Sequence, residues 1–251
     1  MKKQGFTLAE VLITLGIIGV VAALTIPSLV SKYRKHVVET SLKKSYSVLS
    51  QILERSKADN GDAVNWDWSS YTAYEKDSSE QFFQKYFYPY INITGRAKSV
   101  QTPNLLDYKI YTSVDDTSGD PNWSYYNGQL ADWVELPDGS VILFAFQYTG
   151  KHITYGSFSV ILPSSKNKKK LIVGKDVFNF TIRENGNDLV ISAFNYQPWS
   201  CQDININNRA TFLQACRGET TSASGIPSGS YCAAIISCNG WKIPDDYPVR
   251  I

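Results

Sequence analysis

The sequence predicts an α+β fold in which one long N-terminal helix packs on an antiparallel sheet of four to five strands, followed by a disulfide-tied C-terminal region. Three observations predict it. An apolar run near the N-terminus continues into an amphipathic stretch. Five runs of β-branched and aromatic residues follow, separated by turn signals. All four cysteines lie in the last quarter of the 251 residues. A helix preceding a run of strands is typical of α+β domains.

The apolar run starts after a short basic leader. From Phe6 to Val30 the only ionisable side chain is that of Glu10, and Val11–Val30 is uncharged over 20 residues. At about 1.5 Å per residue, a helix of that length spans a hydrocarbon core of about 30 Å. A carboxylate in lipid costs about 2–4 kcal/mol, so Glu10 is expected to have a partner.

The residues around the end of the leader read Gly5-Phe6-Thr7-Leu8-Ala9-Glu10-Val11-Leu12-Ile13. This run closely resembles the class III leader of type IV prepilins and pseudopilins. The resemblance implies a pilin-like fold, cleavage by prepilin peptidase between Gly5 and Phe6, and N-methylation of Phe6. It also implies that Glu10 pairs with the terminal amine of a neighbouring subunit during assembly, and that Pro27 kinks the helix.

The same resemblance implies partners and a location. The partners would be other pilin subunits in a homo- or hetero-filament, prepilin peptidase, an inner-membrane assembly platform and, before assembly, the bacterial inner membrane. The chain would cross that membrane once, with its N-terminus in the cytoplasm and its head in the periplasm or outside. It would then enter a cell-surface or periplasmic filament.

The expected function is that of a structural subunit of a type IV pilus-like filament, minor or specialised. The head after Gly61, at nearly 190 residues, is large for a simple major subunit. Two alternatives stay open: a pseudopilin of a type II secretion system, and a pilus-tip protein that binds DNA or a surface.

Two further observations oppose this interpretation. An ordinary secretory signal could be cut after Val21-Ala22-Ala23, leaving Leu24 as the N-terminus, although Glu10 serves such a signal poorly. A positive-inside count also places the C-terminal part in the cytoplasm. Five basic residues follow the span, against two before it: Lys32, Arg34, Lys35, Lys43 and Lys44, against Lys2 and Lys3. The leader motif and the cysteines favour the opposite topology.

The second half of the long helix is predicted from apolar residues at mostly helical spacing after Pro27. Asn60-Gly61 is a C-terminal stop signal, so one helix of roughly 80 Å would run from about Phe6 to Asp59. The apolar positions expected to pack against the head are Val30, Tyr33, Val37, Leu42, Tyr46, Leu49 and Leu53.

Residues 62–129 are rich in Trp and Tyr, which are expected to pack in a satellite core rather than to bind sugars. A short helix is predicted at Ser79–Tyr88. Two pairs of strands flank turn signals at Pro137-Asp138-Gly139 and Asn185-Gly186. The predicted strands are Leu130–Leu136, Ser140–Tyr148, Ile153–Leu162, Val177–Arg183 and Asp188–Phe194.

These segments give a predicted division of the chain into five parts. They are a leader peptide (1–5), a transmembrane or filament-core helix (6–30), an amphipathic helix (31–60), a globular α+β head (61–194) and a cysteine-containing C-terminal region (195–251).

The cysteines are Cys201, Cys216, Cys232 and Cys238, with 14, 15 and 5 residues between them. No C-x-x-C pair is present, so zinc is disfavoured, and an even number in an exported chain indicates two disulfides. Ser230 and Asn239-Gly240 flank a predicted short helix.

A helix would place Cys232 and Cys238 about 9 Å apart, with side chains diverging by about 120°, and a disulfide allows a Cα separation of only about 7 Å. Two pairings remain: 216–232 with 201–238, or 201–232 with 216–238. The first is favoured because residues 218–229 are rich in Gly, Ser and Thr and can turn back easily.

The sequence has few features that indicate a function other than that of a filament subunit. Without Lys2 and Lys3, 23 basic residues oppose 23 acidic ones, so the processed chain has no overall attraction to nucleic acid. The only histidines, His36 and His152, lie near no nucleophile or metal-ligand motif. No enzymatic activity, cofactor or metal is therefore expected, and nucleic acid is not an expected partner.

One basic run, Lys166-Asn167-Lys168-Lys169-Lys170, needs its own interpretation. It is predicted to be a solvated loop between two strands. The alternative is a phosphate-contacting patch of a DNA-uptake pilin.

Overall fold

The computed structural model describes residues 7–68, 76–91, 98–101, 109–111, 130–148, 153–165, 168, 170–185, 188–193, 200–218 and 231–251. The chain divides into two compact units. One is Met1–Val37 together with Ile251, and the other is Val38–Arg250.

The helices of the described residues are α1 (Leu8–Asn60), α2 (Lys76–Tyr86), α3 (Arg209–Arg217) and α4 (Cys232–Cys238). The strands are β1 (Lys98–Gln101), β2 (Lys109–Tyr111), β3 (Leu130–Glu135), β4 (Val141–Tyr148), β5 (Ile153–Ile161), β6 (Lys170–Ile172), β7 (Val177–Asn185) and β8 (Asp188–Ser192). The predicted α+β class is confirmed.

The main sheet has the strand order β1-β3-β4-β5-β7-β8, and every neighbouring pair in it is antiparallel. Its last five strands are the five that the sequence predicts. The sixth strand, β1, was missed because its four residues, KSVQ, carry no β-branched or aromatic alternation. A separate pair, β2 and β6, is parallel.

The two predicted hairpin turns differ in outcome. At Pro137-Asp138-Gly139 the turn is confirmed: the Leu136 N–H donates to the Ser140 carbonyl at 2.8 Å, and Gly139 has φ +84°. At the other hairpin Asn185 pairs with Asp188, so Asn185 belongs to strand β7 rather than to the turn. Residues 186 and 187, which lie between the paired positions, are outside the described residues.

Helix α1 ends where Asn60-Gly61 predicts, because Gly61 takes φ +77° and its N–H donates to the Lys57 carbonyl at 2.8 Å. The packed face differs from the predicted one at its start: Val38 rather than Val37 is buried, and Tyr33 is 67% exposed. The buried residues of α1 recur mostly at steps of three and four, so they form one stripe along the helix. It consists of Val38, Leu42, Ser45, Leu49, Ile52, Leu53 and Ser56.

Helices α1 and α2 both contact apolar side chains of the sheet. Tyr46 of α1 meets Phe180 at 5.9 Å between ring centroids, and Phe83 of α2 meets Phe144 at 4.9 Å. The buried sheet residues at alternate positions are Val134, Ile142, Phe144, Phe158, Val160, Phe178 and Phe180. Burial of apolar surface stabilises a fold by about 25 cal/mol per Å². The buried side chains of this interior are therefore the main source of the stability of the head.

The satellite-core interpretation of the aromatic residues after Gly61 is confirmed where they are described. Trp66 stacks on Tyr86 at 4.5 Å, and Trp68 meets Phe82 at 4.5 Å. All four side chains are buried. The predicted helix is present as α2, but it starts and ends earlier, and Tyr88–Tyr90 forms a separate 3-10 turn.

The two disulfides join Cys201 to Cys238 and Cys216 to Cys232, with Cα separations of 5.2 and 4.9 Å. Helix α4 excludes a 232–238 bond, and of the two remaining pairings the observed one is the one that the sequence favours. The expected cap at Ser230 lies outside the described residues, and the residue before the helix is Tyr231, with φ +68°.

Gly174 shows how tightly the C-terminal region packs on the sheet. Its φ is +80°, and its carbonyl accepts a hydrogen bond from the Tyr247 hydroxyl at 2.6 Å. A Cβ at this position would lie 2.6 Å from the Cys232 Sγ and 3.1 Å from the Tyr247 Oη. Only glycine fits both the backbone conformation and the space.

Gly174→Ala is expected to destabilise the protein by about 2–5 kcal/mol, because the left-handed backbone and the overpacked contact both oppose a side chain. Gly61→Ala is the matched control: its φ is +77°, but a Cβ there meets nothing within 4 Å. The control should cost only about 1–2 kcal/mol. Thermal unfolding of the detergent-solubilised chains measures both, and equal losses would contradict the packing argument.

Candidate functional site

The first turn of α1 is built around Glu10. The Glu10 Oε2 accepts hydrogen bonds from the Thr7 backbone N–H and the Thr7 hydroxyl, both at 2.8 Å. The Thr7 Oγ1 in turn accepts the Glu10 N–H at 3.3 Å. This reciprocal arrangement is a capping box, which satisfies N–H groups that a helix start leaves unpaired. The spacing T-x-x-E is visible in the sequence, but this local role was not predicted.

The Glu10 Oε1 accepts no hydrogen bond from the described residues, so one carboxylate oxygen stays available for a further donor. Gly5 and Phe6, the predicted cleavage and methylation residues, lie outside the described residues. Their relation to Glu10 therefore stays a prediction.

The apolar half of α1 presents its side chains outward. By length and composition this helix could cross a membrane, and none of its most apolar window is buried. A Cβ at Gly16 or Gly19 would meet nothing within 4 Å. So large an exposed apolar surface needs lipid or another protein to cover it. Its large exposed residues include Leu8, Leu12, Ile13, Leu15, Ile17, Ile18, Val20, Leu24 and Leu29.

Pro27 lies inside α1. Because proline has no N–H, the Ala23 carbonyl loses its usual donor four residues later. Nearby hydroxyls bond within the helix: Thr25 Oγ1 donates to the Val21 carbonyl at 2.9 Å and Ser28 Oγ to the Thr25 carbonyl at 3.2 Å. The kink at Pro27 stays a prediction.

The basic run is only partly described, since residues 166, 167 and 169 lie outside the described residues. Lys168 is paired: its Nζ lies 2.6 Å from Oδ1 of the buried Asp176. Asp176 also accepts hydrogen bonds from the Ser165 hydroxyl at 2.6 Å and the Ile172 N–H at 3.0 Å. Lys170 begins strand β6, so the prediction of a loop throughout is wrong at this end, because β6 pairs with β2.

A second site was missed in the sequence. A groove of about 430 Å³ lies between α1 and the segment after α4, lined by Glu39, Thr40, Lys43, Lys44, Ser47, Gly240, Trp241 and Lys242. We call it the basic groove. Glu39 holds its two sides together, because its carboxylate accepts the Ile243 N–H and a Lys242 hydrogen bond, both at 2.9 Å. The two sides are about 200 residues apart in sequence, so no local pattern predicts the groove.

Lys44 of the groove is paired with Asp138 at 2.7 Å. Partial burial raises the pKa of the Asp138 carboxyl, but hydrogen bonds from Lys44 and Ser140 outweigh it and leave the pKa below its usual value. The pair joins α1 to the turn between β3 and β4.

No group of His, Cys, Asp and Glu side chains in the described part of the chain is placed to hold a metal ion. His152 lies outside that part. The four cysteines are all in disulfides.

Residues 1–26 match the model of the prokaryotic N-terminal methylation motif, the leader of type IV prepilins, so the chain is a pilin- or pseudopilin-like precursor. Residues 28–251 match a family of unknown function (DUF6613), and the chain belongs to that family. Neither a curated protein nor a solved structure shows significant similarity to the chain.

The methylation motif and the exposed apolar helix together characterise a membrane-anchored bacterial protein. A motif of this type implies processing by prepilin peptidase and assembly with other pilin subunits. It indicates a structural subunit rather than an enzyme.

Proposed function

We propose that this chain is a minor or specialised structural subunit of a type IV pilus-like filament, cleaved by prepilin peptidase and assembled through α1. The observation that carries the proposal is the methylation motif at residues 1–26 joined to a helix whose apolar side chains are exposed. Lipid covers these side chains before assembly, and neighbouring copies of α1 cover them in the filament.

In this proposal Glu10 sets the register between subunits. Cleavage after Gly5 creates a cationic amine on Phe6. The Oε1 of Glu10, which accepts no hydrogen bond from the described residues, accepts one from the Phe6 amine of a neighbour. Pairing removes two unsatisfied charges from an apolar environment. Pro27 bends the helix near the end of its membrane-spanning part.

The proposed topology puts the N-terminus in the cytoplasm and the head in the periplasm, with residues 6–30 in the membrane. Residues 31–60 lead into the head (61–194), and residues 195–251 form its disulfide-tied extension. An oxidising compartment outside the inner membrane is where two disulfides persist. The assembly platform of the inner membrane then moves the subunit into a surface or periplasmic filament.

Processing gives the direct test. Mass spectrometry of the protein from cell membranes should find an N-terminal, methylated Phe6 and no trace of residues 1–5. A Gly5→Leu variant is the control, because a bulky residue at the cut should leave the leader attached. A mature terminus at Leu24 would mean an ordinary secretory signal and would overturn the proposal.

The pseudopilin alternative shares the leader and its chemistry, and neighbouring genes for a secretion or a pilus machine distinguish the two. The DNA-binding alternative depends on the basic run, of which Lys168 is already paired with Asp176.

A further inference from the structure

We propose that the basic groove accepts the acidic C-terminal end of α1 from a second copy of this chain, in a head-to-tail contact between heads. The acidic end is residues 54–62, the last turns of α1 and the two residues after it, where Glu54, Asp59 and Asp62 exceed Arg55 and Lys57 by one negative charge. The inference rests on the proposed filament function and names a contact beyond the N-terminal helix.

The groove has an excess of positive charge. Three lysines and one glutamate line it. Lys242 pairs with Glu39 and Lys44 pairs with Asp138. Lys43 is exposed and has no ion-pair partner among the described residues. An anion entering the groove would therefore meet a cation that no described residue of the head neutralises.

The groove is also pre-formed. Trp241 holds the left-handed conformation, with φ +64°, which is rare for a bulky side chain. Its N–H donates to the Ile236 carbonyl at 2.9 Å, and its ring meets that of Tyr46 at 5.0 Å. A wall fixed in this way loses little conformational entropy when a partner binds.

The acidic end carries exposed carboxylates that could pair with a cation of another copy. Asp59 and Asp62 are exposed, and neither has an ion-pair partner in the described part of the chain. The Asp59 carboxylate does accept a hydrogen bond from the Tyr90 hydroxyl. The Asp62 side chain makes no capping hydrogen bond to the turn that follows it. Glu54 is 65% exposed, and the Lys57 with which it pairs also contacts Asp188.

The two surfaces cannot meet within one head. From Lys43 to Asp59 is 16 residues of α1, a distance of about 24 Å along the helix axis. A parallel copy displaced by about that distance would bring its acidic end beside the groove. Two grooves facing each other would instead bring like charges together. A contact between different surfaces that does not close repeats along a filament.

The test uses the full chain in its own cells, with filaments sheared from the surface. Lys43→Glu and Asp62→Lys should each lower the sheared fraction at least about tenfold, because each creates a like-charge contact. Neither side chain has an ion-pair partner in the described residues, so membrane levels and disulfides should be unchanged. Lys175→Glu is the matched charge reversal outside the groove and should assemble like the original protein.

Co-expression gives a sharper result. A row that alternates the two variants places the groove of Lys43→Glu against the acidic end of Asp62→Lys, where the two introduced charges are opposite. At the next contact the unchanged Lys43 meets the unchanged Asp62. Mixed expression should therefore restore filaments that neither variant forms alone. Singles that fail without this rescue would overturn the pairing.

Carbodiimide treatment of the original filaments adds a direct readout. It should join Lys43 of one copy to Asp59 or Asp62 of another, and peptide mass spectrometry detects the bond. If filaments form and both variants assemble fully, this contact alone is wrong and the filament function stands. If the original chain enters no filament, both proposals fail.

Discussion

Glu10→Ala should leave the protein in the membrane and remove it from filaments. Membrane insertion should persist, because the change deletes the only charge in the apolar span. Assembly should fail, because the Phe6 amine of a neighbour would lose its counter-charge. An unpaired buried charge costs about 3–5 kcal/mol, so incorporation should fall by roughly a hundredfold or more. Comparing sheared and membrane fractions measures it.

The capping box requires two controls, since Glu10 also stabilises the start of α1. Thr7→Val removes the hydroxyl that exchanges hydrogen bonds with Glu10 but keeps the carboxylate. Glu10→Gln keeps an acceptor oxygen but not the charge. If charge pairing is decisive, Thr7→Val should assemble and Glu10→Gln should fail. The opposite ranking would assign Glu10 to helix capping alone.

The second large effect concerns the disulfides. Replacing Cys216 and Cys232 by Ala should destabilise the protein more than replacing Cys201 and Cys238. Chain entropy predicts the reverse: closing 37 residues stabilises by about 4 kcal/mol and closing 16 by about 3 kcal/mol. Burial decides the order, because Cys216 and Cys232 are 0% and 2% exposed, and losing their sulfur atoms leaves a cavity.

Urea unfolding under non-reducing conditions measures this order. If the 201–238 pair proves more costly, chain entropy outweighs packing. A coupling measurement checks the same region: Gly174→Ala should cost less when Cys232 is also replaced by Ala, since its closest contact is the Cys232 Sγ. If Gly174→Ala costs the same stability with and without Cys232→Ala, the clash with the Cys232 Sγ is not what destabilises the variant.

Much of the architecture was readable from local patterns. The long helix, the five antiparallel strands and α4 follow from periodicity, turn residues and caps, all of which act within a few positions. A helix between Cys232 and Cys238 excludes their direct pairing and leaves two connectivities. The observed one was favoured because residues 218–229 are rich in Gly, Ser and Thr and can turn back easily. The leader motif is local too, so the class of protein was determined by the sequence alone.

Tertiary structure decided the features that depend on distant residues. Asp176 pairs with Lys168 only because the turn after β6 folds back, which places one lysine of the basic run beside a buried carboxylate. The basic groove joins residues of α1 to Trp241 and Lys242 through Glu39. A sequence shows how many charged side chains a protein has. Which of them are neutralised depends on distances across the fold, and among the described residues those distances give neither Lys43 nor Asp62 an ion-pair partner.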